Sequence, residues 1–171
     1  MVLRQVFAVL VLPFTVAVLI PAWIVRAGAV APAMPATALG WGSLLIGLPV
    51  LVAGGALFAT SVGRFGGEGE GTLAPWDPPV RLVVRGPYAY VRNPMISGVV
   101  LLLLSEGLLL RSAPHMSWAG LFFLINAVYI PLAEEPGLRV RFGGDYEEYA
   151  ENVPRLVPRI TPWNSASGKD T

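Results

Sequence analysis

Residues 5–25 carry no ionisable side chain across 21 consecutive positions. Wound as a helix at 1.5 Å per residue, such a run crosses a hydrocarbon core of about 30 Å. The overall composition points the same way, since 54% of the 171 residues are hydrophobic and only 13% are charged, against about 25% charged in a soluble domain. A chain of this size cannot bury that surplus inside one small globule, so lipid must cover the rest. A cleavable signal peptide is the competing reading of the first run, with Arg4 ahead of it and Ala27, Gly28 and Ala29 behind. The run is longer than the apolar core usual in such peptides.

Three further apolar runs follow, at residues 39–63, 94–110 and 116–133. The second is rich in glycine, and Gly54-Gly55 lets another helix, of this chain or of another copy, approach closely. The third is short for a full crossing and carries Glu106 near its far end. The fourth ends at the acidic pair Glu134-Glu135. Asn93 followed by Pro94 reads as a helix N-cap with proline in the first helical position. The predicted fold class is therefore all-α: an integral membrane bundle of about four transmembrane helices, with a long polar cytoplasmic loop and a C-terminal amphipathic helix. Alternating the loops puts Arg4, Arg64, Arg81, Arg85, Arg92, Arg139, Arg141, Arg155, Arg159 and Lys169 on one face and only Arg26 and Arg111 on the other. Positive charge accumulates on the cytoplasmic side, which predicts both termini there. Abundant arginine with little lysine suggests a bacterial inner membrane.

Three regions result: residues 1–62 with the first two helices, 63–160 as a catalytic region, and 161–171 as a flexible tail. Within the second, residues 64–92 form a polar stretch with Gly66-Gly67, Gly69, Gly71 and Pro75-Trp76-Asp77-Pro78-Pro79, read as an ordered lid because structureless loops of that length are uncommon. Gly143 reads as a helix stop and Asp145 as the cap of a short surface helix ending before Pro154. Its companion charges and aromatic residues fit the membrane surface.

Net charge is +1, so no nucleic-acid partner is called for. Cysteine is absent and His115 is the only histidine, which excludes disulfides, thiolate chemistry and a histidine-based metal centre. We expect no metal. His115 reads as a loop residue on the far, poorly charged face.

The chemistry concentrates in Arg85-Gly86-Pro87-Tyr88-Ala89-Tyr90-Val91-Arg92-Asn93-Pro94-Met95-Ile96-Ser97-Gly98. It is followed by Glu134-Glu135-Pro136, by Arg141-Phe142-Gly143 with Tyr146 and Tyr149, and by Val153-Pro154-Arg155. In this order and spacing the chain resembles the isoprenylcysteine carboxyl methyltransferase and phospholipid N-methyltransferase superfamily over residues 63–160. Members of that superfamily show G-P-Y, R-H-P and Y-x-G elements, an acidic pair closing the next membrane helix, and F-G-x-x-Y-x-x-Y before V-P. Asn93 stands where the family has histidine, Ile96 where a tyrosine is common, and Asn152 where some eukaryotic enzymes carry arginine. The resemblance implies S-adenosylmethionine as cofactor, with roles for Gly86, Tyr88, Arg92, Asn93, Glu134 and Glu135. It also implies the lipid bilayer and a lipophilic acceptor, carboxylate or amine, as partners.

Residue chemistry supports such a site independently. The cofactor carries a carboxylate, an ammonium, a sulfonium and an adenine ring. Free amides at the start of the third helix, around Asn93, Pro94 and Met95, suit an anion, and Arg92 adds a charged donor. Glu134 or Glu135 suits the ammonium or ribose hydroxyls. Tyr88, Tyr146 or Tyr149 suits the adenine or sulfonium, and Gly98 completes the block. Glu106, costly among leucines, is expected to face the bundle interior, lining the acceptor pocket or bracing the loop through Arg64 or Arg85. With Arg92 and Glu135 it makes up the expected catalytic set. Plainer readings stand beside these: Asn93 as a cap alone, Glu134 and Glu135 as a solvated helix end paired with Arg139 or Arg141, Glu106 as a snorkelling residue, and Tyr129, Tyr146, Tyr149 and Trp163 as an interfacial belt. An NADPH-dependent membrane reductase and a non-catalytic scaffold are the rival functions.

Overall fold

The computed structural model describes residues 10–29, 36–68 and 82–164, with the side chains of 65–68 left aside. The glycine-rich and proline-rich loop at 69–79, along with Arg4, Arg81 and residues 165–171, lies outside the described residues. Among those described, every regular element is a helix. The chain folds as an all-α membrane bundle.

The first span, α1, runs through Leu10–Leu19, Ile20–Ile24 and Val25–Ala29 without a break, and closes where Gly28 turns to φ 76°. Helix α2, Ala38–Glu68, is 31 residues long. Helix α3, Pro94–Leu109, has 16 residues and reaches only about 24 Å, short of the hydrocarbon core. Helix α4 is Ala113–Tyr129. Three helical stretches are thus long and apolar enough to cross a membrane, Val11–Gly28, Ala38–Arg64 and Ala113–Phe142, and α3 is a shorter companion.

The expected stop at residue 133 does not occur. Helix α4 passes through a widened turn at Ile130–Glu134 directly into α5, Glu135–Phe142. Pro131 and Pro136 lack the amide that would bond back one turn, and a locally expanded turn accommodates them without ending the helix. The break comes at Gly143, whose φ of 54° and ψ of −131° suit a residue without Cβ. Helix α6, Gly144–Asn152, begins there, so Gly143 rather than Asp145 is its cap.

Lipid offers no hydrophobic drive for helices to associate, so close backbone contact must supply it. Helix α3 provides that contact from the middle of the bundle. A Cβ on Gly98 would lie 2.9 Å from the Phe58 amide nitrogen and 3.1 Å from the Gly54 carbonyl oxygen. Gly54 therefore meets α3 of its own chain, while Gly55 faces open space. Val99 and Leu103 of α3 pack on Ala119 of α4, with Val16 and Ala17 of α1, Phe58 of α2 and Trp118 closing the cluster. The Trp118 indole donates to the Val16 carbonyl at 3.1 Å, a partner that a partly buried indole requires. Outward-facing Trp23, Leu45, Val52 and Leu124 are exposed, as lipid contact demands.

At the far end of α3, His115 is buried rather than in a loop. It occupies the first turn of α4, with Nδ1 2.8 Å from Ser112 Oγ, and Ser112 caps the helix by accepting from the His115 amide.

Candidate functional site

The site is built at the opposite, N-terminal end of α3, where the chain after α6 returns as an extended strap. The Arg92 amide donates to the Pro154 carbonyl at 2.8 Å, and the Asn93 amide to the Arg155 carbonyl at 3.2 Å. The Arg159 amide donates to Tyr90 and the Trp163 amide to Ala89, both at 2.9 Å. Ser97, buried on α3, donates its hydroxyl to the Leu156 carbonyl at 2.7 Å. Trp163 packs on Tyr149 with ring centroids 5.8 Å apart, so the chain is docked through residue 163 and not loose from 161. Before the helix, a single 3-10 turn, Gly86–Ala89, starts at Gly86 with φ 61°, where the Arg64 side chain lies against the backbone.

This folding brings Arg92, Glu135, Tyr146 and Arg155 together. Arg155 grips Glu135 with both prongs of its guanidinium, Nε to Oε1 at 2.6 Å and Nη2 to Oε2 at 3.0 Å. Arg92 Nη1 reaches the same Oε1 at 3.2 Å, and its side chain is 9% exposed against 4% for Glu135. Arg92 Nη1 also donates to the Tyr146 hydroxyl at 3.3 Å, and its guanidinium carbon stands 6.0 Å from the Tyr146 ring centroid. Removing Glu135, the buried carboxylate at the centre, would leave the Arg92 charge without its counter-ion, and breaking a buried pair in this way costs about 3–5 kcal/mol. The carboxylate of Glu135 holds the Arg155 guanidinium above its ordinary pKa. Burial raises the Tyr146 hydroxyl, with the Arg92 charge opposing it.

Beneath the network, the Tyr149 hydroxyl donates to the Tyr88 carbonyl at 2.7 Å. Burial, then Tyr149, then Glu134 push the Tyr88 hydroxyl far above the usual tyrosine range. Two buried polar atoms here have no hydrogen-bond partner among the described residues: the Tyr88 hydroxyl and Arg92 Nε. Leaving such atoms unpaired costs about 1–3 kcal/mol each. The charged donor suits an anion and the hydroxyl suits a polar ligand group.

The candidate residues now separate. Tyr88 and Arg92 present buried polar atoms without partners among the described residues, and Glu134 is exposed. Glu135 is committed to two arginines, so it positions Arg92 and has no free face for an ammonium. Tyr146 and Tyr149 are buried beneath the site, which does not fit the exposed-belt reading. Asn93 occupies the cap position without a capping side-chain bond; its amide and its Nδ2 both donate to the Arg155 carbonyl. Of the amides expected there, that of Asn93 is taken and Pro94 has none, which leaves Met95 as the first candidate. Gly86 makes the turn beneath Arg64. Gly98 serves the α2 contact and not a ligand.

Glu106 is not part of this site. It lies 12 residues beyond Pro94, about 18 Å along the helix, and its Oε2 is buried without a partner among the described residues. Arg64 sits against Gly86, before the other end of α3. Arg155 and Ser97, in contrast, lie outside the candidate set. The arginine directly after Val153-Pro154 was their only sequence signal.

The architecture is that of a helical integral membrane protein whose one elaborate polar network joins the start of α3 to the end of α4 and the C-terminal strap. Residues 42–145 match the phospholipid methyltransferase family, and the chain belongs to it, in agreement with the motif resemblance. It is 37% identical over 76 residues to methanethiol S-methyltransferase 2 of Bradyrhizobium diazoefficiens, an alignment covering 43% of this chain and 27% of that protein. The chain thus spans about a quarter of the relative's length. No solved structure matches it.

Proposed function

We propose that the chain transfers a methyl group from S-adenosylmethionine to a lipophilic acceptor at the cytoplasmic membrane surface. The observation that carries this reading is Arg92, held in place by Glu135 with its own Nε unpaired, beside Tyr88 and Glu134 on a chain of this family. Arg92 Nε suits the methionyl carboxylate, Glu134 the ammonium or ribose hydroxyls, and the Tyr88 hydroxyl a further polar group of the cofactor. Bound there, S-adenosylmethionine supplies an electrophilic methyl group. The chain's own task is alignment and exclusion of water, which the strap and the buried tyrosines support. Asn93 has no proton to exchange near neutral pH, so the site favours acceptors that need no strong base. The ten-to-two distribution of cations supports a cytoplasmic location for this end of α3 and for both termini.

A second acceptor class is favoured by the relative, whose name is a methanethiol S-methyltransferase. A thiol reacts as its thiolate, which a neighbouring arginine stabilises. The test is to titrate the protein in nanodiscs with S-adenosylmethionine, S-adenosylhomocysteine and NADPH, then follow labelled methyl groups into lipid extract and into methanethiol. Saturable binding of the first two ligands with labelled product is expected. Binding of NADPH alone would replace this reading with a reductase, and binding of none with a scaffold.

A further inference from the structure

Arg155 bears no role in the motif resemblance, yet it makes the two shortest side-chain contacts of the Glu135 carboxylate. It is fixed from both ends. Its carbonyl accepts from the amide and the Nδ2 of Asn93, both at 3.2 Å, and its guanidinium closes on Glu135. The residue before it is bonded through its carbonyl to the Arg92 amide at 2.8 Å. Strap, helix start and carboxylate therefore move as one body around Arg92.

The charge balance then gives Arg155 a task that packing alone does not. Arg92 and Glu135 by themselves would form a neutral pair, with the carboxylate free to take Arg92 in a two-pronged grip. Arg155 occupies both oxygens and leaves Arg92 a single ion-pair contact of 3.2 Å, so the two guanidinium groups and the buried carboxylate together carry one net positive charge, with Arg155 36% exposed, and Arg92 keeps an Nε–H without a partner among the described residues. Arg139, the next cation on α5, and Glu134 are exposed, and each acts on the site at longer range, Arg139 on Glu135 and Glu134 on the Tyr88 and Tyr146 hydroxyls.

We infer that Arg155 is a positioning residue that leaves the Arg92 charge uncancelled and turned toward the carboxylate of an amino-acid-bearing nucleoside. The inference rests on the methyltransferase reading. It is tested in nanodiscs with S-adenosylhomocysteine, which carries the carboxylate, and 5′-methylthioadenosine, which lacks it. Arg155→Met weakens S-adenosylhomocysteine binding by about tenfold to a hundredfold, the range of a lost charge-assisted bond, and leaves the ratio of affinities for the two probes collapsed toward unity. Arg155→Lys retains most of the affinity. The double variant Glu135→Gln with Arg155→Met restores the single positive charge and recovers most of the loss. Equal binding by wild type and Arg155→Met overturns the inference. So does a double variant that stays as weak as the single one while melting near the wild-type temperature, which would make Arg155 only an anchor for the strap. Failure of wild type to bind S-adenosylhomocysteine at all would overturn the methyltransferase reading itself, and this inference with it.

Discussion

At its Asn93 end, α3 meets buried polar groups contributed by residues far apart in the chain; at its Leu109 end, the buried polar groups are close neighbours. Arg92, Glu135, Tyr146 and Arg155 come together from the start of α3, α5, α6 and the strap and pair with one another, leaving Arg92 Nε free among the described residues. Ser112 and His115 pair with each other across one helical turn, with the Pro21 backbone of α1 as a further partner of the imidazole, and Glu106 leaves an oxygen unpaired among the described residues. A cap is a local need that any helix start meets. A charge network closed by a returning strap is not required to make a helix, and holding a guanidinium in a fixed direction is what it accomplishes. The difference identifies the Asn93 end as the working end and the Leu109 end as structural.

Substitutions at the two ends sharpen or break this contrast. The largest effect is expected for Arg92→Met. It leaves Glu135 with one partner fewer and removes the unpaired donor, lowering methyl transfer by roughly a hundredfold or more, as loss of about 3 kcal/mol implies. Initial rates under saturating cofactor check it, and near-normal turnover would break the contrast. Gly98→Val comes next: its new methyl groups meet the α2 backbone at Phe58 and Gly54, and overpacking of this kind costs about 1–3 kcal/mol, read as a lower melting temperature in detergent. Ser97→Ala frees the Leu156 carbonyl for about 1 kcal/mol, with faster hydrogen exchange confined to the strap. Ser112→Ala removes a cap of similar worth at the other end and should lower stability without altering affinity for S-adenosylhomocysteine. The smallest effect on activity is expected for Glu106→Leu, whose turnover should equal wild type while its melting temperature rises, since a carboxylate without a partner is lost from an apolar helix. A large fall in turnover would return Glu106 to the site.

Much of the bundle was legible because ionisable residues are so costly in lipid that their absence marks each span. The continuation of α4 past Glu134 was not, since the sequence places two acids and two prolines where a helix would ordinarily stop. The site was legible as a set of motifs but not as contacts. Glu134 and Glu135 are adjacent letters, yet they point about 100° apart on a helix; one is exposed and the other is clasped by two arginines. The strap is held largely by backbone bonds to residues 89–93, which impose no side-chain period to read. Tyr146 and Tyr149 carry the same spacing whether they face a membrane surface or a buried network, and only the position of Tyr88 and Arg92 decides between them. Gly98 belongs to the motif block by position and to the helix crossing by contact.

The claim that the cofactor binds at the Asn93 end of α3 is tested most directly by light-induced cross-linking of labelled S-adenosylmethionine to the protein in nanodiscs, with the adduct mapped by peptide mass spectrometry. The account expects label within residues 85–97 or 132–163, suppressed by excess S-adenosylhomocysteine and absent from Arg92→Met. Specific label at Glu106, Ser112 or His115, unchanged in Arg92→Met, would contradict it.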